Sequence, residues 1–463
     1  MTTSTSTLLS RSVPGVVGST AAPVRIVHLG LGAFHRAHQA WYTATVDTAG
    51  EWGIAAFTGR NPQAADELAP QDGLFTMIER SVAGDTASIV TSIVESVDGS
   101  RLDRLLELLA APATSIVTLT ITEAGYRLTP EGVPNLMDAA VVADIDWLSK
   151  NLTGGIPSSL DRGPTTSLGR LVLGLEARRL AGAGPIAIVP CDNMPDNGKY
   201  VATGVLAIAA EVSEDLAAWI EKTVSFVSTS VDRITPRTTP DDLATAEGLT
   251  GLRDNAAVVT EPFSDWVLSG EFPAGRPKWE DAGARFVDEI EPFERRKLWL
   301  LNGAHSLLAY AGLLRGHATV ADAMADPDCR SWVVEFWDEA CRHLPAEELD
   351  LDAYRTALVE RFDNARIEHK LTQISAEGVS KLRVRIVPTV LAERAAGRDA
   401  SAGVRAIGSW ASLLIAGTTM IDAHSVAIDE ALRSDDPLVE LVRLVEPRLI
   451  EDATLMGQFA RYR

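Results

Sequence analysis

The stretch VRIVHLGLGAFHRAHQAWYTATV, residues 24–46, decides the fold expected for this chain of 463 residues. Its first six residues form a short run that is mostly apolar and rich in β-branched side chains, which is typical of a strand. Gly30 and Gly32 follow in a turn, and the residues from Ala33 onward show helical spacing. Two glycines between a strand and a helix let the backbone approach a pyrophosphate at the helix N-terminus. The stretch therefore predicts the first unit of a dinucleotide-binding fold, although a strand–helix turn without a nucleotide is the alternative for a lone GxG pattern.

Apolar runs alternate with helical segments up to about residue 234, and almost purely helical periodicity follows. The strand candidates are 52–59, 88–96, 115–126 and 185–193. Alternating strands and helices predict a Rossmann-type α/β domain with a mostly parallel sheet, and the second half predicts a mainly α-helical domain. We therefore expect a leader at 1–23, a dinucleotide-binding domain at 24–234 and a helical substrate domain at 235–463, with the site in the interdomain cleft.

The charge and the cysteine content exclude several classes of protein. A net charge of −21 opposes binding to nucleic acid and to anionic membranes, so a small molecule is the expected partner. No apolar run reaches the roughly 18 residues that a membrane helix requires. Cys191, Cys329 and Cys341 form no CxxC pair, which argues against a disulfide scaffold or a structural zinc site and favours a reducing cytoplasm.

Two details of the first half leave alternatives open. His35 and His38 have the H-x-x-H spacing of a metal site, but no acidic or cysteine ligand lies nearby, so we expect a packing or phosphate-side role and no metal. NAD-binding folds usually carry an acid at the end of the second strand for the ribose 2′-hydroxyl. The corresponding stretch FTGRNPQ has Arg60 and no acid, which leaves NADP open beside NAD.

The stretch KLWLLNGAHSLLAY, residues 297–310, places three polar side chains on an otherwise apolar helix. Burying an amine, an amide or an imidazole without a partner costs a few kcal/mol. At about 100° per residue, Lys297, Asn302 and His305 share one face that is about 140° wide and about 12 Å long. A desolvated lysine is suited to act as a general base, and amide and imidazole donors can hold a developing alkoxide. The alternative is a helix whose polar residues face solvent; for catalysis, another segment must help the three groups converge on one carbon.

Longer motifs occur in one order along the chain: IVHLGLGAFHRAHQAWYT, SIVTLTITEAGY, VPCDNMPDNG, FVSTSVDRITP, EPFSDWVLSGEF, GRPKWEDAGARFV and KLWLLNGAHSLLAY. From about residue 24 to at least residue 420, the chain resembles the polyol-specific long-chain dehydrogenases, a family that includes mannitol 2-dehydrogenase and fructuronate reductase. The resemblance implies a Rossmann domain, a helical C-terminal domain and metal-independent hydride transfer with NAD or NADP. It also implies a monomer, with a homodimer left open.

The resemblance further implies roles for individual residues. Lys297 matches the general base, and Asn302 with Asn193 matches the pair that stabilises the alkoxide. His305 matches the residue that positions the substrate. The other implied positions are Asp232, Lys381 and Gln373 at the substrate, Glu294 on the proton exit path, and Gly30, Gly32, Ala33, Phe34 and Arg60 at the cofactor.

One motif departs from the mannitol 2-dehydrogenases. Where those enzymes have R-x-x-x-D-G-S-x-K, residues 373–381 read QISAEGVSK, so Gln373, Glu377 and Val379 replace arginine, aspartate and serine. Glutamine at the first position resembles the fructuronate reductase (D-mannonate oxidoreductase) branch, which is our first candidate function. Mannitol 2-dehydrogenase is the second, and mannitol-1-phosphate 5-dehydrogenase is the third because Lys381 is the only evident basic group for a phosphate. A nucleotide- or sugar-binding protein without catalysis is the alternative outside the enzymes.

Overall fold

The computed structural model describes residues 6–16 and 20–462 and divides the chain into two compact units, Met1–Ile290 and Glu291–Arg463. The first unit contains the strands of the fold. They are β1 (Val24–Leu29), β2 (Gly53–Phe57), β3 (Phe75–Ser81), β4 (Gly84–Val90), β5 (Ile93–Val97), β6 (Ile116–Leu119), β7 (Ile186–Pro190), β8 (Val224–Phe226), β9 (Ser228–Asp232), β10 (Val258–Thr260), β11 (Asp265–Ser269) and β12 (Arg285–Phe286).

The main sheet of the first unit has six strands in the order β5-β2-β1-β6-β7-β8. Every neighbouring pair in it is parallel, which confirms the prediction of a Rossmann-type parallel sheet. The order reverses at β1, because β2 lies on one side of it and β6 on the other. Ligands of open α/β sheets bind outside the carboxyl ends of the strands at such a switch point.

The strands of the main sheet are apolar on both faces because both faces are covered. Val27 and Leu29 of β1 belong to one core cluster, whereas Ile26 belongs to the cluster on the opposite face. β2 and β6 divide in the same way. Period-two alternation of two buried faces produces the continuous apolar runs from which these strands were predicted.

Two smaller sheets explain why the first unit extends beyond the predicted boundary at 234. One has the order β10-β3-β4 and the other β12-β11-β9. β10 pairs in parallel with β3, and β11 pairs antiparallel with β9, so the chain after residue 234 returns to strands of the first unit. The division therefore lies after Ile290, and β10, β11 and β12 are strands where we expected helices.

The segment expected to be a leader is partly packed onto the first unit. Leu9 is buried, and Leu8 forms a β-bridge with Arg253. The Arg11 guanidinium donates to the carbonyls of Thr91 at 2.7 Å and Ile93 at 3.0 Å. Residues 1–5 and 17–19 of this segment lie outside the described residues.

Helices surround the sheet of the first unit and build the second. Those of the first unit are Ala33–His35, Trp41–Val46, Gln63–Leu68, Leu102–Ala110, Glu123–Tyr126, Ala139–Asn151, Ser167–Ala181, Asn197–Val212, Glu214–Thr223 and Pro240–Thr250. Those of the second unit are Glu291–Arg296, Ala304–Leu314, Val320–Ala325, Pro327–Cys341, Ala346–Leu349, Leu351–Phe362, Leu371–Ile374, Gly378–Arg385, Val387–Ala395, Ser401–Ile415, Ser425–Leu432, Pro437–Val445, Arg448–Glu451 and Ala453–Phe459. Short 3₁₀ turns lie at Ala69–Gln71, Trp279–Ala282 and Ala460–Tyr462.

Two helices contain a π-helical segment, Arg36–Ala40 in the first unit and Lys297–Gly303 in the second. Within the described ranges, none of the helices combines the length and the hydropathy that a bilayer crossing requires. In the second unit, the helix Ala304–Leu314 is buried along most of its length and packs against Ser401–Ile415, Pro327–Cys341 and Leu371–Ile374. The second unit is thus a helical domain organised around the segment that carries the predicted base.

Candidate functional site

The turn after β1 is held tightly against its two neighbouring strands. The backbone N–H groups of Gly30 and Leu31 both donate to the carbonyl of Phe57 at the end of β2, each at 2.9 Å. Gly30 has φ +110°, and a Cβ there would lie 2.3 Å from the carbonyl oxygen of Thr120, just after β6. Only glycine fits both the conformation and the approach. Gly32 precedes the helix that begins at Ala33, whose first N–H groups lack carbonyl partners within the helix.

Two adjoining cavities lie beside this turn. The first has a volume of about 300 Å³ and is lined by Gly30, Arg60 and Thr122 among others. The second has a volume of about 400 Å³ and is lined by Phe34 and Asn193 among others. The two share Thr120, Ile121 and Thr122, the loop that follows β6. Paired cavities on either side of a glycine-rich helix start match the two halves of a dinucleotide, so the residues present fit such a cofactor.

The first cavity has a basic rather than an acidic lining. Arg60, Arg127 and Arg170 line it, and none of the described residues that line it is an aspartate or a glutamate. Arg127 is ion-paired with Asp138, and Arg170 donates to the carbonyl of Pro164 at 3.3 Å. Arg60 is exposed, and of these three arginines it is the candidate to contact the ribose hydroxyl or the 2′-phosphate of a nucleotide.

The histidines near the turn form a packed support beneath it. The rings of His28 and His35 are stacked, with centroids 3.3 Å apart and planes inclined by 8°. His28 pairs with Thr118 at 2.8 Å and with Thr120 at 3.0 Å, and the Thr120 hydroxyl donates to the carbonyl of Gly30 at 2.7 Å. Burial lowers the pKa of His28 to about 3, so this ring is neutral. Sequence reasoning missed His28, although a histidine inside an apolar strand was a visible signal.

His35 and His38 do not converge on a common point. Gln39 lies between them: its carbonyl oxygen faces Nδ1 of His35 at 3.3 Å, and its amide donates to Nδ1 of His38 at 3.0 Å. Nε2 of His38 faces the carbonyl of Asp265 at 3.2 Å. Burial is also the main cause that lowers the pKa of His35 well below its ordinary value. These contacts agree with the packing role that we preferred over a metal site.

Hydrogen bonds of Asn197 join the segment that carries Asn193 to the strand that ends at Asp232. Asn197 donates from its amide to the carbonyl of Thr229 at 3.0 Å and accepts the Thr229 N–H at 2.8 Å, which fixes the turn after β7 to β9. Asp232 is the last residue of β9 and is buried. Its neighbour Val231 lines the same cavity as Asn193. The first unit thus holds the predicted amide and the predicted carboxylate at the ends of adjacent segments.

The helix that carries Lys297 is not the straight α-helix on which its spacing was predicted. Helical backbone runs from Glu291 to Leu314, but Lys297–Gly303 is π-helical. In a π turn each N–H bonds to the carbonyl five residues earlier, so residues five apart lie one above the other. Because Lys297 and Asn302 are five residues apart, the angle between their side chains around the helix axis is smaller than the predicted 140°. π segments inside α-helices are frequent at functional sites.

His305 lies one turn further along this helix and is almost completely enclosed. Its ring is 7% exposed, packs on Phe362 at 4.8 Å and meets His369 edge to face at 4.9 Å. Burial, together with neighbouring cations, lowers the pKa of His305 well below its ordinary value. Its Nε2 has no hydrogen-bond partner among the described residues. A neutral imidazole with a free buried nitrogen is suited to bind a substrate hydroxyl.

The remaining predicted residues of the second unit lie on neighbouring elements. Lys381 is on the helix Gly378–Arg385, which contacts the π segment, and its amine donates to the carbonyl of Ile374 at 2.9 Å. Burial lowers the pKa of Lys381 to about 8. Gln373 is exposed, and Glu294 is partly buried in the turn before Lys297. The catalytic and binding roles of all these residues stay predictions, and sequence reasoning missed His369 and Arg385 beside them.

Comparisons with known proteins give one consistent result for both halves of the chain. Residues 24–281 match the mannitol dehydrogenase Rossmann domain, and residues 289–433 match the mannitol dehydrogenase C-terminal domain. D-mannonate oxidoreductase of Escherichia coli (strain K12) is 34% identical over 447 residues, which are 94% of this chain and 85% of the relative. Mannitol 2-dehydrogenase of Cereibacter sphaeroides is 34% identical over 381 residues, which are 80% of this chain and 77% of the relative.

A solved structure agrees with these relatives. Mannitol 2-dehydrogenase of Pseudomonas fluorescens, in a ternary complex with NAD and D-mannitol, superposes with a TM-score of 0.78 at 31% identity and covers 97% of this chain and 92% of that chain. The resemblance inferred from the motifs is confirmed. Since both domain models match in the expected order, the chain belongs to the mannitol dehydrogenase family of oxidoreductases.

Proposed function

We propose that this protein is an NAD-dependent, metal-independent oxidoreductase that transfers a hydride to or from C2, counted as in the ketose, of a six-carbon sugar acid. The preferred pair of substrates is D-mannonate and D-fructuronate. The observation that carries the reaction class is the π-helical segment Lys297–Gly303, which presents an amine and an amide five residues apart. We further propose a cytoplasmic location, which is supported by three free cysteines at positions 191, 329 and 341, and a monomeric state, which the resemblance to the family implies.

The cofactor assignment depends on the first unit. NAD supplies the hydride acceptor or donor when it is bound. The loop Gly30–Gly32 and the helix start at Ala33 would hold its pyrophosphate, while the cavity with Arg60 and the cavity with Phe34 and Asn193 would hold its two ends. NAD is preferred because the similar mannitol 2-dehydrogenase binds NAD. Arg60 keeps NADP as the second candidate.

Residues of this chain remove the proton of the substrate hydroxyl and stabilise the negative charge that develops on its oxygen. In the direction of oxidation, the neutral amine of Lys297 takes the proton of the substrate hydroxyl as C2 loses hydride. The amides of Asn302 and Asn193 donate to the oxygen while negative charge develops on it. Glu294, one turn before the lysine, passes the proton towards solvent. His305 binds a neighbouring hydroxyl and sets the orientation of the substrate.

One observation favours a sugar acid over a neutral polyol. Gln373 stands where the mannitol 2-dehydrogenases have arginine, so the contacts at the substrate differ from theirs. Mannitol 2-dehydrogenase remains the second candidate because of the similarity to the solved complex with D-mannitol.

Initial rates of NADH and NADPH oxidation with D-fructuronate and with D-fructose test the proposal. We expect kcat/KM for fructuronate to exceed that for fructose by about 100-fold, which corresponds to about 2.7 kcal/mol of transition-state discrimination. Preference for fructose would instead make the protein a mannitol dehydrogenase. NADH binding without turnover of either ketose, or of mannitol and mannonate in reverse, would contradict the enzymatic proposal altogether.

A further inference from the structure

The helix Gly378–Arg385 carries two cations whose partners are all neutral. Lys381 and Arg385 are four residues apart, so they lie on the same side of the helix. The amine of Lys381 donates to the carbonyl of Ile374 at 2.9 Å. Nη1 of Arg385 donates to the carbonyl of Asn302 at 3.4 Å and to the Ser306 hydroxyl at 3.2 Å. Over residues 6–16 and 20–462, no carboxylate is within ion-pair distance of either cation.

Nearby carboxylates are occupied by backbone groups. Glu377, at the start of the helix, accepts the Ala423 N–H at 3.1 Å. Asp422 accepts the N–H groups of Val379 at 3.1 Å and His424 at 2.9 Å. Both carboxylates therefore stabilise the turn that precedes the helix, and although they raise the pKa of Lys381 from a distance, neither forms an ion pair with Lys381 or Arg385 among the described residues.

Two partly buried like charges one helical turn apart are unfavourable unless an opposite charge compensates them. Burial lowers the pKa of Lys381 and of Arg385, and the positive charge of Arg385 lowers that of Lys381 further. Charged groups removed from water are ordinarily paired with opposite charge. Such a pair without a counter-ion is the arrangement expected where an anionic ligand completes the site.

Two neutral imidazoles, whose pKa values burial lowers, lie close enough to the cations for those pKa values to be lowered further by them. Nε2 of His305 and Nδ1 of His369 are buried and have no hydrogen-bond partner among the described residues. Arg385 itself contacts the backbone of Asn302, the residue predicted to hold the alkoxide. The second unit thus gathers two cations, two imidazoles and Asn302 on neighbouring elements, which is the set of groups that can bind a sugar acid with one carboxylate and several hydroxyls.

We propose that Arg385, assisted by Lys381, binds the carboxylate of the sugar acid and is the residue that selects it over a neutral polyol. This inference rests on the proposed function. A guanidinium binds a carboxylate through two parallel hydrogen bonds, which a glutamine at the same place cannot reproduce. Arg385 acts on binding and orientation and takes no part in proton transfer.

The test is the ratio of kcat/KM for D-fructuronate to that for D-fructose in Arg385→Gln. We expect this ratio to fall by at least about 30-fold, mainly through KM for fructuronate, since charge-assisted hydrogen bonds are roughly twice as strong as neutral ones. Arg385→Lys keeps the charge and should recover part of the ratio. Arg383→Gln is the matched control, because Arg383 is exposed on the same helix and donates to the carbonyls of Val445 and Leu444.

The possible outcomes separate this inference from the proposed function. An unchanged ratio in Arg385→Gln, or an equal loss on both ketoses with a lowered melting temperature, would overturn the subsite. A selective loss on D-fructose 6-phosphate in an enzyme that ignores fructuronate would identify a phosphate site instead and would also overturn it. If the wild-type protein turns over no ketose, the proposed function fails. Calorimetric binding of D-mannonate to the wild type and not to Arg385→Gln would then still support a carboxylate subsite, and equal binding would refute it.

Discussion

The two π-helical segments use the same backbone irregularity for different purposes. In Arg36–Ala40 every residue is buried. Arg36 donates to the carbonyls of Gly32 and Ala256, and the amide of Gln39 serves the two flanking histidines. In Lys297–Gly303 the lysine and Asn302 are only partly buried and lie within a helix whose neighbours are cationic or carry unpartnered imidazoles. The comparison teaches that a π-helical turn can serve packing alone, so the catalytic role proposed for the second segment depends on the partly buried Lys297 and Asn302 and not on the π turn itself.

The strongest test of this contrast is Lys297→Ala. Removing a general base should lower kcat by about 10²–10⁴-fold, because proton removal then falls to water. Affinity for NADH, followed by fluorescence titration, should stay within about twofold. Arg295→Ala, which removes an exposed ion pair with Glu291 four residues earlier, should leave kcat within about threefold. Turnover of Lys297→Ala within tenfold of the wild type would show that the second segment is structural like the first.

Gln39→Ala should have the opposite signature. The change leaves ring nitrogens of His35 and His38 without their buried partner, so we expect a loss of about 1–3 kcal/mol in the free energy of unfolding. Urea denaturation measures this loss, and kcat per folded molecule should change little. Gln63→Ala, whose exposed side chain bonds only to Glu67, should stay within about 0.5 kcal/mol. A large loss of kcat at full stability would give the first segment a catalytic role.

The pH dependence of substrate selectivity tests whether the charge of Lys381, on the helix beside the second π segment, contributes to carboxylate binding. Lys381 faces Arg385 on its own helix, Glu377 and Asp422 at the preceding turn, and His305 on the helix Ala304–Leu314. Since burial lowers the pKa of Lys381 from 10.5 to about 8, its charge is present below pH 8 and is lost above it. The ratio of kcat/KM for fructuronate to that for fructose should therefore fall about threefold to tenfold between pH 7 and pH 9.

Taking the ratio of the two kcat/KM values cancels any pH effect that is common to both substrates, including the titration of the general base. Lys381→Met should abolish the fall, because it removes the titrating group. A ratio that stays constant over this pH range in the wild type would mean that Lys381 does not approach the carboxylate.

The smallest effect is expected at Arg60, which follows β2 and lines the cavity beside the turn that precedes the first π segment. Arg60→Ala should lower kcat/KM for NADPH about threefold to tenfold and that for NADH less than twofold, because a 2′-phosphate gains more from a guanidinium than a hydroxyl does. Steady-state rates with both cofactors measure the change. Equal losses with NADH and NADPH would place Arg60 at the pyrophosphate rather than at the ribose.

Local patterns in the sequence predicted the parallel sheet and the region of the turn, because β1, Gly30 and the following helix are contiguous. Periodicity could not detect the π segments, since one additional residue per turn leaves the same apolar composition. The short strands β10, β11 and β12 depend on partners far away in the chain, β3 and β9, and not on their own pattern. This long-range pairing also moved the boundary of the first unit to Ile290.

The candidate site was predicted where motifs carry it and missed where tertiary packing creates it. Lys297, Asn302 and Asn193 stand in recognisable stretches, and the structure places Asn193 beside the cavity at the turn. Arg385 lies in KLRVR, where nothing in the sequence distinguishes it from the exposed Arg383 two residues earlier. Only the contacts of Arg385 with the Asn302 carbonyl and the Ser306 hydroxyl separate the two arginines.

The fixation of Gly30 has a consequence for the energetics of nucleotide capture. Two backbone N–H groups bound to one carbonyl, and a threonine hydroxyl bound to the Gly30 carbonyl, fix the shape of the turn through contacts within the protein itself. Association then requires little ordering of the loop, so the entropic penalty falls mainly on the nucleotide itself. We therefore expect differences in affinity between dinucleotides to arise from the side chains that line the neighbouring cavities and not from changes in the conformation of the turn.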